Sequence, residues 1–282
     1  MQIANTKSEV REAVRAARED GRTIGLVPTM GALHAGHTAL IERSVADCDF
    51  TVVSIFVNPT QFGPGEDLAR YPRTLEADAE QCEQAGADLV FAPSAAEMYA
   101  EDAATTVHVA GLTAGLCGAF RPGHFDGVTT VVCKLLSIAQ PDRAYFGEKD
   151  YQQLVVIRRM VTDLDLPVEV VGVPTVRERD GLALSSRNRY LSAEERAAAP
   201  ALRRALLAGA EAARTGATGS EVECVVADEL ANEPLFRVQY ISAVHPETLE
   251  PREGEGLPMV IAAAAYLGDT RLIDNIRIEE DD

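Results

Sequence analysis

The chain is poor in aromatic residues and in cysteines. Aromatic residues make up 5% of its 282 residues, and tryptophan is absent. The five cysteines form no C-x-x-C pair and are odd in number, which argues against a disulfide framework and a cysteine zinc site. They are Cys48, Cys82, Cys117, Cys133 and Cys224. We therefore expect buried free thiols in a reducing, cytoplasmic compartment.

Long apolar runs and positive charge are also scarce. The longest apolar stretch, residues 259–267, is only as long as a strand, so we expect no membrane span. Near the N-terminus, Thr6 and Glu9 form a capping-box pattern, which predicts a helix rather than an apolar leader. The net charge is −18, and so acidic a surface repels phosphate backbones. We therefore expect no nucleic-acid partner.

Strand and helix patterns alternate over residues 1–174. Continuous apolar runs predict parallel strands that are covered on both faces. The alternation predicts a Rossmann-like, doubly wound α/β domain. The predicted strands are 23–27, 50–57, 89–92, 105–109, 143–146 and 168–173, and the predicted helices are 7–20, one beginning near His37, 74–85, 128–139 and 151–163. Residues 111–127 are predicted to be a glycine-rich loop.

The pattern changes near Pro174, which predicts a smaller α+β domain over residues 175–282. A hairpin is expected around residues 179–181. Two long helices, 193–214 and 220–232, and three strands, 237–244, 259–267 and 271–278, complete this domain.

The most informative stretch is His34-Ala35-Gly36-His37, between an apolar strand and a predicted helix. The backbone N–H groups and the positive end of the helix dipole make such a turn an anion site. ATP-adenylating enzymes of the nucleotidylyl-transferase type place this H-x-G-H pattern under the ATP phosphates. The pattern alone could also arise by chance, in a metal site or in a core. Its place at a strand-to-helix turn, with no nearby Cys, Asp or Glu to complete a zinc site, favours ATP phosphates.

Three further polar stretches are candidates for binding residues. Asn58 and Gln61 offer uncharged amides suited to a hydroxy acid, although turn chemistry alone explains Asn58. Residues 147–153 place Lys149 beyond a strand, where phosphates should lie, but a capped helix with a solvated lysine explains them equally well. Residues 185–187 resemble a phosphate clamp or are simply a polar loop, and Arg121 is a possible anion contact.

Together these stretches resemble the pantothenate synthetase family, the AMP-forming pantoate–β-alanine ligases. The matching segments are 28–37, 56–63, 67–74, 121–128, 146–153 and 173–191, in the family's order over roughly residues 3–278. The resemblance implies that (R)-pantoate and ATP form pantoyl adenylate and pyrophosphate, and that β-alanine then releases AMP and gives pantothenate. It also implies a homodimer, ATP with Mg²⁺ and a C-terminal domain that acts as a lid.

The resemblance also implies residue roles. ATP would be bound by Met30, Gly31, His34, Gly36, His37, Gly147, Glu148, Lys149, Asp150, Val176, Leu184, Ser185, Ser186 and Arg187. The catalytic groups among them would be His34, His37, Lys149, Ser185, Ser186 and Arg187. Pantoate and β-alanine would contact Gln61, Gln153, Asn58, Tyr71 and Arg121. Mg²⁺ would be held mainly by phosphates and water, with Asp78 as the candidate carboxylate.

Two other functions stay open at this point. A nucleotidylyl transferase that releases its adenylated product shares H-x-G-H, but the combination of Gln61, Lys149 and residues 185–187 does not match it. A non-catalytic nucleotide-binding module is disfavoured, because the lysine and both histidines are retained.

Overall fold

A computed structural model describes residues 1–254 and 256–279, and the chain divides into two units. Unit 1 comprises residues 1–113, 120–148 and 153–174. Unit 2 comprises residues 114–119, 149–152 and the chain from Thr175 onward. Two short segments that the sequence assigns to the first domain, 114–119 and 149–152, therefore pack with the second unit.

Unit 1 contains a six-stranded parallel sheet. Its strands are β1 (Gln2–Ala4), β2 (Ile24–Thr29), β3 (Phe50–Ile55), β4 (Leu89–Phe91), β5 (Arg143–Gly147) and β6 (Glu169–Val173), in the order β1-β4-β3-β2-β5-β6. When the short β1 is left out and the remaining strands are renumbered from β2, the order becomes 3-2-1-4-5, which is that of a Rossmann-like sheet. The strand order reverses between β2 and β5, so ligands are expected beyond the carboxyl ends of these two strands.

Helices flank this sheet because the central strands are apolar on both faces. The helices of the first 174 residues are α1 (Lys7–Glu19), α2 (Ala35–Asp47), α3 (Leu75–Gln84), α4 (Ala95–Met98), α5 (Leu116–Phe120), α6 (His124–Ala139) and α7 (Tyr151–Asp163). Val53 and Val90 are fully buried in the sheet, and α1 buries Val10 and Val14 on one face. The fold class predicted from the sequence is confirmed for this part of the chain.

Unit 2 is built on a three-stranded antiparallel sheet, which confirms the predicted α+β fold. Strands β7 (Phe236–Val244), β8 (Met259–Leu267) and β9 (Thr270–Ile278) lie in that order. Its helices are α8 (Ala193–Ala198), α9 (Ala201–Arg214) and α10 (Gly219–Ala231). The core of this unit combines buried residues of α9 and α10, such as Leu206 and Val226, with Ile261 and Ile276 of the sheet.

Several sequence predictions were wrong in detail. Residues 105–109 form no strand, because threonines of α6 bond both backbone groups of Val107: Thr130 Oγ1 accepts from its N–H and Thr129 Oγ1 donates to its carbonyl. The loop predicted over 111–127 contains α5, and α6 begins at His124 instead of 128. The helix predicted over 193–214 is interrupted before Ala201, where Pro200 has no N–H to donate.

The cysteine prediction holds only in part. Cys82 is buried, whereas Cys224 is exposed, and the described residues contain no disulfide. Among the described residues, none of the helices is long and apolar enough to cross a membrane.

Candidate active site

The H-x-G-H segment follows the turn after β2 and forms the start of α2, at the reversal point of the unit 1 sheet. His34 is the N-cap of α2, and its Nδ1 accepts a hydrogen bond of 3.1 Å from the Gly36 N–H. The rings of His34 and His37 lie 4.1 Å apart between centroids, at an angle of 37°. Because Nδ1 of His34 is an acceptor, the neutral ring carries its proton on Nε2. Two imidazoles and a helix N-terminus thus lie together, as an anion site requires.

A buried carboxylate holds this turn in place. Asp78 of α3 is 1% exposed; its Oδ1 accepts from the Leu33 N–H at 2.8 Å, and its Oδ2 accepts from the Ala32 N–H at 2.9 Å. Thr74 Oγ1 donates to the same Oδ2. A Cβ on Gly31, whose φ is +79°, would lie 2.9 Å from that oxygen. Asp78 therefore fixes the backbone that presents the two histidines.

These bonds bear on the magnesium site suggested for Asp78. The carboxylate is buried and already accepts three hydrogen bonds. In the described part of the chain, no group of three or more His, Cys, Asp or Glu side chains is arranged to hold a metal ion. The residues present thus do not fit a protein-ligated Mg²⁺ at Asp78, and no chemical step is assigned to such an ion.

Asn58 and Gln61 lie in a short 3-10 turn at the end of β3, where Asn58 orients the Gln61 side chain. Asn58 is 1% exposed, and its Nδ2 donates to Gln61 Oε1 at 3.1 Å and to the Gly127 carbonyl. Gln61 Nε2 donates to Met30 Sδ at 3.2 Å. Both ends of the Gln61 amide are therefore directed by neighbours, and Met30 links this turn to the H-x-G-H turn. Asn58 also caps the turn by accepting from the Thr60 N–H, the turn role that the sequence favoured.

Arg121 and His124 support the backbone of the same turn. The Arg121 guanidinium donates to both oxygens of Glu66, at 2.7 and 2.6 Å, and to the Gln61 carbonyl at 3.3 Å. His124 Nδ1 donates to that carbonyl at 2.7 Å. Burial raises the pKa of Glu66, but the hydrogen bonds and charge of Arg121 outweigh it and leave the pKa below its usual value. The positive charge of Arg121 is thus matched by Glu66.

The other sequence-predicted residues of unit 1 have plainer surroundings. Tyr71 is 5% exposed, and its ring lies edge-on to Phe62 at 6.0 Å. Gly147 ends β5 and is followed by Glu148, and Gln153 is half-buried on α7. A Cβ on Gly147 would meet no described atom within 4 Å, so packing does not explain this glycine.

In unit 2, Lys149 and Asp150 form a 3-10 turn before α7. The side chain of Lys149 is 19% exposed, and its Nζ lies 3.8 Å from Asp150 Oδ2. Asn275 Nδ2 donates to the Lys149 carbonyl at 3.0 Å. Asp150, to which the resemblance assigns ATP binding, is exposed.

The segment with Leu184, Ser185, Ser186 and Arg187 follows an antiparallel bridge between Arg177 and Ala183. The Leu184 N–H donates to the Val176 carbonyl, and Ser185 Oγ accepts from the Arg187 N–H at 3.3 Å. Ser186 is buried and Arg187 is half-buried. The segment is therefore a turn held by its own backbone and side-chain hydrogen bonds.

The structure brings the predicted residues together in two groups. In unit 1, Met30, Asn58, Gln61 and Arg121 are joined by contacts, and His34 stacks with His37. In unit 2, Lys149 neighbours Asp150, and Val176 pairs with Leu184. Sequence reasoning missed Glu66 and the turn-holding role of Asp78. It also missed Asn275, for which a polar Asp-Asn pair inside an apolar strand was an available signal.

Comparisons with known proteins agree over nearly the whole chain. A family model for pantoate-beta-alanine ligase matches residues 2–277. A pantothenate synthetase of Pseudomonas aeruginosa is 53% identical, with 100% of both chains covered. The crystal structure of pantothenate synthetase from Thermus thermophilus is 54% identical, with a TM-score of 0.93, and covers 98% of this chain and 99% of that one.

A further solved relative is a complex with ligands. The pantoate-beta-alanine ligase from Francisella tularensis, complexed with beta-gamma ATP and beta-alanine, is 33% identical with a TM-score of 0.82. It covers 98% of this chain and 97% of that chain. Family model, full-length identity and fold agree, and the chain therefore belongs to the pantoate–β-alanine ligase family and is a ligase.

Proposed function

We propose that the protein joins pantoate to β-alanine in two ATP-dependent steps. In the first, a pantoate carboxylate oxygen attacks the α-phosphorus of ATP, which forms pantoyl adenylate and expels pyrophosphate. In the second, the β-alanine amine attacks the acyl carbon, loses a proton and expels AMP, which leaves pantothenate. The observation that carries the proposal is the His34–His37 pair at the N-terminus of α2, at the reversal point of the sheet. The Francisella relative with ATP and β-alanine in its description supports the same substrates.

The two histidines are proposed to bind the ATP phosphates. The pantoate carboxylate is already a nucleophile, so the site must offset charge repulsion and align the reacting atoms. His37 is proposed as a hydrogen-bond donor to the charge that develops on the phosphates, together with the N–H groups of the α2 N-terminus. His34 can donate through Nε2 because its Nδ1 is used as the cap.

The amide of Gln61 is proposed to hold pantoate and to lie near β-alanine, with Gln153 as a second pantoate contact. Asn58 and Met30 direct both ends of the Gln61 amide, so it is preorganised. Asn58, Tyr71 and Arg121 were also predicted to contact substrate. Because these side chains are buried or paired, we propose that they support the Gln61 turn and do not contact substrate.

The remaining ATP contacts are proposed for the other predicted residues. Gly147, Glu148 and Lys149 would bind ribose and phosphate with Asp150, and Val176 with residues 184–187 would complete the nucleotide contacts. Lys149 and Arg187 supply positive charge for phosphate. Mg²⁺ is proposed to arrive with ATP, on phosphate oxygens and water rather than on a protein cage.

The experiment is pyrophosphate release with pantoate, with and without β-alanine. The proposal predicts an enzyme-bound adenylate and about one pyrophosphate per site without β-alanine, and continuous turnover with AMP and pantothenate when it is added. Steady pyrophosphate release at a rate that does not depend on β-alanine would instead indicate a nucleotidylyl transferase. No release under either condition would indicate a binding module.

A further inference from the structure

Strand β9 carries two adjacent polar residues in an otherwise apolar stretch. Asp274 and Asn275 are 4% and 8% exposed. Neighbouring strand residues point to opposite faces of a sheet. Asp274 therefore shares the face of Leu272 and Ile276, which belong to the apolar core of unit 2, while Asn275 points to the other face. Buried polar groups weaken a core unless they are bonded, so both need partners.

Asp274 fixes the position of the strand. Arg177 Nη1 donates to Asp274 Oδ2 at 2.7 Å, and Arg177 Nη2 donates to Oδ1 at 2.9 Å. Arg177 Nη1 also donates to the Gly181 carbonyl. Asp274 Oδ1 accepts in addition from the Asn275 N–H at 2.8 Å. The backbone at Asn275 is thus held by its neighbour's ion pair as well as by the sheet.

Asn275 reaches across the other face to the turn that carries Lys149. Its Nδ2 donates to the Lys149 carbonyl at 3.0 Å, although 126 residues separate the two in sequence. Two residues further, Tyr151 Oη donates to the Pro246 carbonyl at 3.2 Å. The segment 149–152 is therefore bonded to β9 through Asn275 and to the backbone at Pro246. The orientation of the peptide after Lys149 sets the direction in which its side chain leaves the backbone.

We propose that Asn275 is a positioning residue for Lys149. By holding the Lys149 carbonyl, it fixes the turn from which the ammonium group reaches the ATP phosphates. The inference rests on the proposed phosphate contact of Lys149. The effect of Asn275 on the reaction would pass through Lys149, whose carbonyl it holds. Misplacing a charged group by even a small distance weakens catalysis that depends on alignment.

The test is a double-mutant cycle in which adenylate formation is measured through the release of pyrophosphate. Asn275→Ala is expected to lower kcat/KM for ATP about tenfold and to leave KM for pantoate unchanged. In the Lys149→Ala background, the same Asn275→Ala change is expected to alter the residual rate by less than about twofold, because its target is already absent. Gln239→Ala is the matched control. Gln239 carries the other side-chain amide of this sheet, and its Oε1 accepts a hydrogen bond from Arg271. Its removal should leave kcat/KM for ATP and KM for pantoate unchanged.

Two other outcomes would overturn either the positioning role of Asn275 or the phosphate contact of Lys149. If Asn275→Ala lowers the rate equally in both backgrounds, or leaves it unchanged in the parent, the positioning role is wrong while the role of Lys149 stands. If Lys149→Ala alone keeps full activity, the proposed phosphate contact fails, and the positioning role with it. Thermal unfolding is measured for every variant. Should Asn275→Ala not fold, Asn275→Ser replaces it, because its hydroxyl is too short to reach the Lys149 carbonyl.

Discussion

His34 has a local structural role that the H-x-G-H spacing did not reveal. Its Nδ1 caps α2, so the side chain orders the helix N-terminus and presents Nε2 at the same time. His37, three residues later, lies within the first turn of the helix and stacks on the His34 ring. The two histidines therefore differ in what their loss would do: loss of His34 would remove the helix cap, whereas loss of His37 would remove a ring that packs on His34.

Loss of one hydrogen-bond donor tests the phosphate assignment. His37→Ala or Lys149→Ala should each lower adenylate formation by about 100-fold or more, by analogy with removal of one transition-state donor. Unfolding temperatures should change little, since both side chains lie at turns. The measurement is single-turnover adenylate formation with pantoate and ATP.

Lys7→Ala is the control for loss of a positive charge. Lys7 lies at the start of α1 and should tolerate the change with turnover within about twofold, as surface substitutions do. Near-normal rates in either His37→Ala or Lys149→Ala would remove that residue from the mechanism.

The amide of Gln61 separates pantoate binding from ATP binding. Gln61→Ala should raise KM for pantoate about tenfold or more and change KM for ATP far less, because the amide is aimed at the hydroxy acid. Initial rates measured against each substrate give both constants. Gln84→Ala, an exposed amide on α3, is the matched control. If the variant loses ATP affinity but keeps its response to pantoate, the assignment of Gln61 to the pantoate subsite is wrong.

The sequence placed the candidate polar residues at strand ends but did not reveal which residues hold them in position. The H-x-G-H turn and the amides follow strand ends, and strand ends of a parallel sheet are readable from apolar runs. Glu66, by contrast, lies 55 residues from Arg121, and Asp78 lies 46 from Ala32. Such pairings depend on tertiary distances, which no local pattern encodes. For this reason the bonds of Asp78 to the turn and of Arg121 to Glu66 could not be predicted from the sequence.

At the scale of elements, α6 packs directly on the turn that carries Gln61. A Cβ on Gly127 would lie 2.4 Å from the Thr60 carbonyl oxygen and 2.6 Å from the Gln61 N. The neighbouring atoms are backbone and cannot move aside alone. The absence of a side chain at Gly127 is thus what lets the helix approach the turn.

Gly127→Ala tests this close approach. Separating α6 from the turn should cost about 1–3 kcal/mol of unfolding free energy and raise KM for pantoate, since the Asn58–Gly127 bond would also be strained. Denaturant unfolding and pantoate kinetics measure the two effects. Gly115→Ala, where a Cβ meets no described atom within 4 Å, is the control. An unchanged midpoint and KM for Gly127→Ala would show that the turn tolerates displacement.

The Glu66–Arg121 pair predicts a pH dependence of stability. The folded state lowers the pKa of Glu66 beneath its usual 4.5, so its stabilising contribution is present above that pH and is lost as the pH falls further. The difference in unfolding free energy between the parent and Glu66→Gln should therefore shrink as the pH falls below about 4.5. Denaturant titrations across that range measure it. A difference that stays constant with pH would mean that Glu66 has an ordinary pKa.

Element prediction succeeded where periodicity was unbroken. Helix α7 and strand β8 begin and end at the predicted residues. The errors lie where contacts distant in sequence or a special backbone conformation determine the local structure. The backbone at Val107 bonds to α6 threonines and forms no strand. Gly123, with a φ of 78°, allows α6 to begin before the predicted residue. The three-residue β1 was too short to give any pattern.

At the scale of the whole molecule, the acidic charge of −18 coexists with a proposed anion site. A helix N-terminus with two histidines is a local feature that suits a small anion, whereas a nucleic acid would meet the whole negative surface. The homodimer and the lid role of residues 175–282 remain predictions from the resemblance, and the cytoplasmic location remains a prediction from the cysteines.

The measurement that tests the central claim most directly follows the oxygen atoms of pantoate. In acyl adenylation, a carboxylate oxygen attacks the α-phosphorus, and the later attack of β-alanine expels that oxygen with AMP. Pantoate labelled with heavy oxygen in its carboxylate should therefore give AMP that carries one labelled oxygen, and no ADP. Label in inorganic phosphate together with ADP would mean activation through an acyl phosphate and would contradict the account. Pyrophosphate release with no label leaving pantoate would also contradict it, because a hydroxyl would then be the adenylated group.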